Sequence, residues 1–280
     1  MEDKKNNFPA ICIVRDENGK FEFIDDRSEL PFLANNSFPD SVFQRLEKIN
    51  VEDNSFLIAM PNMISLYVDR AEKENKIASD LYLELKKEDR HENKTDLDKI
   101  KNDTSLFFDY ISHKSNSLIN AFQAIESFCN IAIPSLYEYK KITRAKTEIY
   151  TKNQIERQIN IEEKLNNVLC EIYNLQPINK ARIWDYFKKM SFLRNELIHL
   201  KTSKTKIITD SLLLSHHINF AEISRITVQY FVDGVLSKPK EEIEKYDFGE
   251  LKKWPQFQNT KAFFDNGSET SGSNYSELTE

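Results

Sequence analysis

The sequence predicts a mainly α-helical protein with a small α+β region at its N-terminus. Glycine and proline, which interrupt helices, account for only 5 and 8 of the 280 residues, while helix-favouring Lys, Glu, Leu and Ile are abundant. Beyond residue 100, apolar residues recur at helical spacing, whereas the first hundred residues contain short apolar runs separated by turns. We therefore predict an α+β region over residues 1–100, a helical domain over 101–240 and an extension over 241–280. The extension is expected to be disordered from about residue 265, where Gly, Ser, Thr, Asn and acidic residues dominate.

The N-terminal region is predicted to begin with a β-hairpin. Ala10–Val14 and residues 20–24 are apolar-rich runs on either side of an Asn-Gly pair, which tolerates the positive φ of a tight turn. Residues 41–49 are predicted to form a short helix. Three further short apolar runs follow, at residues 56–60, 65–69 and 81–85. Residues 86–101 are densely charged, so we expect a solvated connection to the helical domain there.

Four helices are predicted in the helical domain. The first begins at Asp103 or Thr104, either of which can cap it, and ends before Pro134. Three more follow from regular apolar spacing, over residues 153–173, 180–201 and 210–236. Residues 136–152 are basic and aromatic, and they fit a helix or a loop.

Charge, cysteine usage and hydropathy restrict the class of protein. A formal charge of −6 argues against a protein that coats nucleic acid along its whole surface. Cys12, Cys129 and Cys170 are an odd number of distant cysteines, which disfavours a disulfide framework and a zinc site and suits a reducing cytosol. No segment approaches the ~18–20 apolar residues of a membrane span. We expect a soluble cytoplasmic protein with no metal, no cofactor and no membrane contact.

One part of this acidic chain is basic. Residues 135–206 contain fifteen basic and eight acidic residues, so this segment carries a charge of +7 and the rest of the chain carries −13. A basic face is what a phosphate backbone requires, and aromatic rings interleave with cations as they do in single-stranded RNA contacts. The alternative is that these lysines merely solvate helix surfaces. The candidate RNA contacts are Lys140, Lys141, Arg144, Lys146, Lys188, Lys189, Lys201 and Lys204.

The residues with the clearest chemistry lie near the end of the third predicted helix, in the sequence Arg194-Asn195-Glu196-Leu197-Ile198-His199. Arginine is a permanent cation that forks onto phosphate, and histidine exchanges protons near neutral pH. Asn195 and His199 are four residues apart and share a helix face, while the long Arg194 side chain can bend toward the same groove. An apolar stripe is expected to hold this turn against the core, through Tyr186, Met190, Leu193, Leu197 and Leu200.

These residue types suffice for cleaving RNA without a metal. When the 2′-hydroxyl attacks the adjacent phosphorus, His199 could accept its proton or protonate the leaving 5′-oxygen. Arg194 could stabilise the charge that grows on the phosphate, and Asn195 could orient the histidine or the phosphate. The products would be a 2′,3′-cyclic phosphate and a 5′-hydroxyl. One histidine cannot readily act as both base and acid, but a two-fold dimer supplies a second copy.

A purely structural interpretation of the same residues also stands. Arg194 could pair with Glu196 or Asp185 at the surface. His199 and Lys201 lie near a helix C-terminus, where the helix dipole favours cations.

The stretch from Phe192 to His199 resembles the signature of the HEPN superfamily, in which Arg, a polar residue, three further residues and His occur late in an all-helical domain. Residues 184–187 and 121–126 also resemble helices of that superfamily, and the resemblance covers roughly residues 103–237. It implies a helical bundle that dimerises into a composite, metal-independent ribonuclease site, typically in toxin–antitoxin or antiphage systems. On that basis Arg194, Asn195 and His199 take catalytic roles and Glu196 assists them.

The resemblance has two departures and leaves an alternative. In one branch of the superfamily, a tyrosine two residues after the histidine is adenylylated by an antitoxin, whereas this chain has Lys201 there. Some members keep the fold but bind RNA, nucleotides or proteins without cutting, so a non-catalytic binding module is the alternative function. A purely structural helical adaptor is a third. The implied partners are RNA, a second copy of the chain, and an antitoxin or other defence-system protein.

The other histidines give weaker signals. Adjacent His216 and His217 point about 100° apart on a helix, so they do not readily share a metal. His113 and Asp109 are four residues apart, a spacing more typical of a surface contact than of a catalytic pair.

Overall fold

The computed structural model describes residues 10–14, 24–25, 27–29, 41–87, 95–144, 146–199 and 202–239. The protein is mainly helical, as predicted, with two small antiparallel sheets. Its chain divides into two compact units: the first three strands belong to one, and Arg27–Glu29 together with the described residues from Pro61 onward belong to the other. The predicted extension over residues 241–280, including its expected disorder, lies outside the described residues.

The first unit contains a three-stranded antiparallel sheet in the order β1-β2-β3. β1 is Ala10–Val14, β2 is Ser41–Val51 and β3 is Asn54–Ala59. A two-residue turn joins β2 to β3, with Glu52 at a φ of 52°. The helix predicted over residues 41–49 is therefore wrong: pairing with β1 on one side and β3 on the other overrides the helix-favouring run from Gln44 to Lys48. The run at 56–60 does form a strand, but apart from Ile24 residues 20–24 lie outside the described part.

The second unit begins with two helices that pack along one another. α1 is Met63–Leu85, and its cap residue Asn62 accepts hydrogen bonds from the backbone N–H groups of Ile64 and Ser65 at 3.0 and 3.2 Å. The two short runs predicted at 65–69 and 81–85 are both parts of this one helix. Because α1 packs in the helical unit, the continuous part of that unit begins at Pro61, upstream of the boundary predicted near residue 101.

The second helix, α2, is longer than predicted. It covers Asp96–Ala132, and its N-cap is Thr95, whose hydroxyl accepts from the Asp98 N–H at 3.2 Å, not Asp103 or Thr104. The charged segment around residues 96–101 is thus helical because a cap precedes it, although most of its side chains are exposed. The predicted end before Pro134 is confirmed.

A β-hairpin follows α2 where the sequence suggested a helix or a loop. β4 is Glu138–Ile142 and β5 is Thr147–Thr151, with Lys140 opposite Ile149. Tyr139 is buried, and its hydroxyl donates to Glu163 at 3.1 Å, so the hairpin is attached to the helix that comes after it.

The helix predicted over residues 153–173 is interrupted. α3, Lys152–Gln158, ends before an extended pair of residues, Ile159 and Asn160. Asn160 then caps α4, Ile161–Glu163, by accepting from the Glu163 N–H at 2.9 Å. A π-helical segment, Lys164–Val168, continues into α5, Leu169–Tyr173. An asparagine side chain that competes for backbone donors explains the break, which apolar spacing alone does not reveal.

Three helices complete the unit: α6 is Ile183–Ile198, α7 is Thr205–Leu214 and α8 is Phe220–Leu236. The last predicted helix, over residues 210–236, is therefore wrong as a single element, because a turn at 215–219 separates α7 from α8 and Asn219 caps α8. Aromatic rings join the helices in the core: Phe122 stacks on Phe187 at 6.3 Å and Phe128 lies 5.7 Å from Phe231. Among the described helices, none has the length and apolar character needed to cross a bilayer.

Candidate functional site

Helix α6 carries the arginine–histidine motif on a rigid support. Phe187, Met190 and Leu193 are buried on its inner face. Of the rest of the predicted stripe, Tyr186 and Leu197 are half-buried, and Leu200 lies outside the described residues. The helix ends at Ile198, so His199 is the residue that follows its last turn, and the prediction of a helix to residue 201 is too long. The polar side chains therefore stand on a helix fixed by its own apolar face.

Arg194 is held by a ring and an amide. Its guanidinium carbon lies 4.7 Å above the centre of the Phe122 ring on α2. Its Nη1 donates a hydrogen bond to Oδ1 of Asn195 at 3.1 Å. Across the described residues no carboxylate pairs with Arg194, so the alternative pairs with Glu196 or Asp185 do not form. The cation is oriented by its neighbours and makes no ion pair with any described residue.

His199 is exposed at the C-terminal end of α6. Its backbone N–H donates to the Asn195 carbonyl at 3.0 Å, which closes the last turn of the helix. Within the described part of the chain, its imidazole has no hydrogen-bond partner. The ring is thus open to solvent and to a ligand, and its place at a helix end also matches the structural interpretation.

Glu196 has a contact that the motif did not predict. Its carboxylate accepts from Lys204 Nζ at 2.5 Å, in the 3₁₀ turn Thr202–Lys204 that leads into α7. This ion pair ties the end of α6 to the start of the next helix. The contact fits a positioning role for Glu196 better than direct chemistry.

A cleft of about 420 Å³ opens beside the motif. Arg194, Asn195 and Ser191 line it from α6, Phe122 and Glu126 line it from α2, and residues of the segment 156–164 close the far side. His199 is not among the residues that line this cleft. The fold thus brings Arg194 and Asn195 together in one concave site and places His199 outside it.

The predicted RNA-contact residues fall into two groups. Four of them are paired with carboxylates: Lys141 with Glu163 at 2.6 Å, Lys146 with Glu148 at 2.7 Å, Lys188 with Glu162 at 2.6 Å and Lys204 with Glu196 at 2.5 Å. The hydrogen bond that Lys141 donates to Glu163 raises the pKa of Lys141, and the one that Lys146 donates to Glu148 raises the pKa of Lys146. Exposed cations without a carboxylate partner among the described residues are Lys140, Arg144 and Lys189, while Lys201 lies outside them. The basic segment is therefore partly neutralised by its own acids.

Two cleft residues, Phe122 and Glu126, were not selected as site residues from the sequence. They are one helical turn apart on α2 and lie inside the stretch 121–126 that resembles the HEPN superfamily. Their spacing signals a shared face, but only the fold shows that this face meets Arg194.

The other histidines and the buried cysteines lie in structural surroundings. His113 pairs with buried Glu74 at 2.5 Å and not with Asp109. His216 stacks on Tyr82 at 4.1 Å, and both adjacent histidines lie in the turn before α8 and not within a helix. Burial raises the pKa of Cys129 to about 12 and that of Cys170 to about 11. Over the described ranges, no group of three or more His, Cys, Asp and Glu side chains is arranged to hold a metal ion.

Comparison with known proteins gives no relative from which a role could be transferred. The chain matches no protein-family model, and neither the curated proteins nor the solved structures include one that is significantly similar to it.

Proposed function

We propose that the protein is a metal-independent endoribonuclease of HEPN type, which acts as a homodimer with a composite arginine–histidine site. The proposal rests on two residues at the end of one helix. Arg194 is a cation that is held in place without a carboxylate partner among the described residues, and His199 has a solvent-exposed imidazole directly after the last turn. A toxin or antiphage defence effector is the biological role that fits such an activity. We also propose a cytoplasmic location, where such an effector would meet its RNA substrate.

The reaction would proceed by transfer within the RNA. The 2′-oxygen forms a bond to the adjacent phosphorus as the bond from phosphorus to the 5′-oxygen breaks. One His199 accepts the proton of the 2′-hydroxyl, and a protonated His199 donates a proton to the departing 5′-oxygen. Arg194 stabilises the charge on the non-bridging oxygens, and Asn195 holds the guanidinium in place through the 3.1 Å hydrogen bond. The products are a 2′,3′-cyclic phosphate and a 5′-hydroxyl.

The position of His199 supports a site shared by two chains. Arg194 and Asn195 line the cleft, but His199 does not, so a single chain does not gather all three around one concave surface. Phe192 and Asn195 lie three residues apart on one face of α6, and His199 follows the last turn of that helix, four residues after Asn195. Phe192 is 62% exposed, and a second copy of the chain that packed on this face would cover it. A two-fold axis on this face would bring two histidines and two arginines together.

One observation favours the alternative of a non-catalytic module that binds RNA, a nucleotide or a protein. Glu126, Glu156 and Glu162 share the cleft with Arg194, and carboxylates repel a phosphate. A site that binds a ligand beside Arg194 without cutting it would tolerate such acids.

The test is RNA cleavage by matched histidine variants. Purified wild-type protein, His199→Ala and His217→Ala are incubated with total RNA in EDTA. His217 is also exposed but lies in the turn before α8, so its replacement controls for the loss of a surface imidazole. We expect the wild type and His217→Ala to cut and His199→Ala to lose at least about a hundredfold in rate. Equal cleavage by all three would overturn the assignment of His199, and binding without cleavage would favour the alternative.

A further inference from the structure

We infer that the cleft beside Arg194 is a nucleobase subsite that selects guanine next to the phosphate that is cut, and that Glu126 recognises the base. The inference rests on the proposed function, since it names the substrate preference of the same site. The cleft volume of about 420 Å³ is sufficient for one base with its sugar, because small-molecule sites measure roughly 300–1,000 Å³.

The first argument is a stacking surface. The Arg194 guanidinium carbon lies 4.7 Å over the Phe122 ring, and Arg194 also lines the cleft. A planar guanidinium can bind a ring on each of its two faces, and bases in RNA–protein complexes stack on arginine planes. Its N–H donors lie in the plane, and one of them is taken by Asn195. The remaining N–H groups can donate to the phosphate, while the base stacks on the guanidinium face that is turned away from Phe122.

The second argument is a carboxylate with available acceptors. Glu126 lines the cleft one helical turn from Phe122, on the same face of α2. The other two carboxylates there have lysine partners: Glu162 lies 2.6 Å from Lys188 and Glu156 lies 3.9 Å from Lys152. Glu126 makes no hydrogen bond or close ion pair with any residue the structure describes, although its charge interacts with that of Lys164, which also lines the cleft. A base stacked on Arg194 would therefore direct its edge toward the Glu126 carboxylate, both oxygens of which can accept hydrogen bonds.

The third argument is the chemistry of the bases. Guanine presents two neighbouring donors, its N1–H and its 2-amino group, and a carboxylate accepts both at once. Adenine and cytosine offer one amino group beside an acceptor, and uracil offers one N–H between two carbonyl oxygens. Guanine is thus the base that the cleft fits, with the phosphate on the Arg194 side.

The test is binding of mononucleotides to the full-length protein by titration calorimetry. The ligands are the 3′-monophosphates of guanosine, adenosine, cytidine, uridine and inosine, of which inosine differs from guanosine only by lacking the 2-amino group. We expect the guanosine nucleotide to bind at least about tenfold more tightly than the other four. Glu126→Gln should remove this preference, whereas Glu138→Gln, an exposed glutamate on β4 outside the cleft, should keep it. Thermal unfolding of each variant confirms that the fold is intact.

Equal binding of the five nucleotides, no binding of any, or an unchanged preference in Glu126→Gln would overturn the inference. Because His199 does not line the cleft, His199→Ala should bind the guanosine nucleotide like the wild type. Guanosine binding without RNA cleavage would refute the proposed activity and leave the subsite standing. Cleavage with no preference for guanine beside the cut would refute the subsite alone.

Discussion

Replacing Lys114 by Met is expected to remove a pH-dependent part of the protein's stability. Lys114 lies on α2 and is 1% exposed. Its Nζ donates to Asn75 Oδ1 at 2.9 Å and to the Ile218 carbonyl at 2.6 Å, and it lies 4.8 Å from the Phe220 ring. It therefore connects α1 and α2 to the turn that precedes α8. Burial lowers the pKa of this lysine from 10.5 to about 8.

The sign and size of the effect follow from proton linkage. Between the two pKa values the unfolded chain binds a proton that the folded protein does not, so stability rises with pH in that range. At about 1.4 kcal/mol per pH unit, moving from pH 7 to 9.5 should add roughly 2 kcal/mol to the free energy of unfolding through this one residue. The raised thiol pKa values of Cys129 and Cys170 act in the opposite direction. Their contribution is present in both proteins and cancels in the comparison.

Urea unfolding followed by circular dichroism, at pH 7 and pH 9.5 and constant ionic strength, measures the difference for wild type and Lys114→Met. The wild type should gain roughly 2 kcal/mol relative to the variant over this interval. The reasoning is refuted if the gap between the two proteins stays constant with pH, because Lys114 would then titrate as an ordinary exposed lysine.

Three further outcomes are expected. Phe187→Ala should lower the free energy of unfolding by about 3–5 kcal/mol in urea titrations, since the ring is fully buried; a loss below about 1 kcal/mol would contradict its place in the core. Lys204→Ala breaks a half-exposed pair with Glu196 and should lower the free energy of unfolding by less than about 1 kcal/mol in the same titrations. A loss above about 2 kcal/mol would mean that this ion pair holds α6 and α7 together more strongly than an exposed pair does. Arg194→Lys keeps the positive charge but loses the planar guanidinium that donates two hydrogen bonds to one phosphate, so RNA cleavage should slow by about 100-fold or more. An unchanged rate would mean that the charge alone suffices.

Apolar spacing led to the helices whose inner faces carry large residues and missed α1, whose inner face is built largely of small ones. α2 and α6 carry large apolar residues at regular intervals, and both were found. The inner face of α1 instead contains Ala71, Ala78 and a buried glutamate, Glu74, and the apolar ends of this helix resembled short strands. The hairpin of β4 and β5 was missed because the pairing of its two strands and the contact of Tyr139 with Glu163 form only in the folded chain.

Only the part of the candidate site that is contiguous in the sequence could be predicted. Arg194, Asn195 and His199 lie within six residues, and their chemistry can be recognised without a fold. The ring below Arg194 and the carboxylate near it come from α2, far away along the chain, so no local pattern indicates them. The pairing of lysines with nearby acids was likewise hidden, since net charge over a segment does not show which side chains meet.

The most direct test of the central claim is the chemistry of the RNA ends produced by the wild-type protein in EDTA. Transfer to the 2′-oxygen by the His199 and Arg194 groups predicts fragments with a 2′,3′-cyclic phosphate on one side of the cut and a 5′-hydroxyl on the other. Fragments with a 3′-hydroxyl and a 5′-phosphate, or cleavage that stops when EDTA is added, would contradict the account.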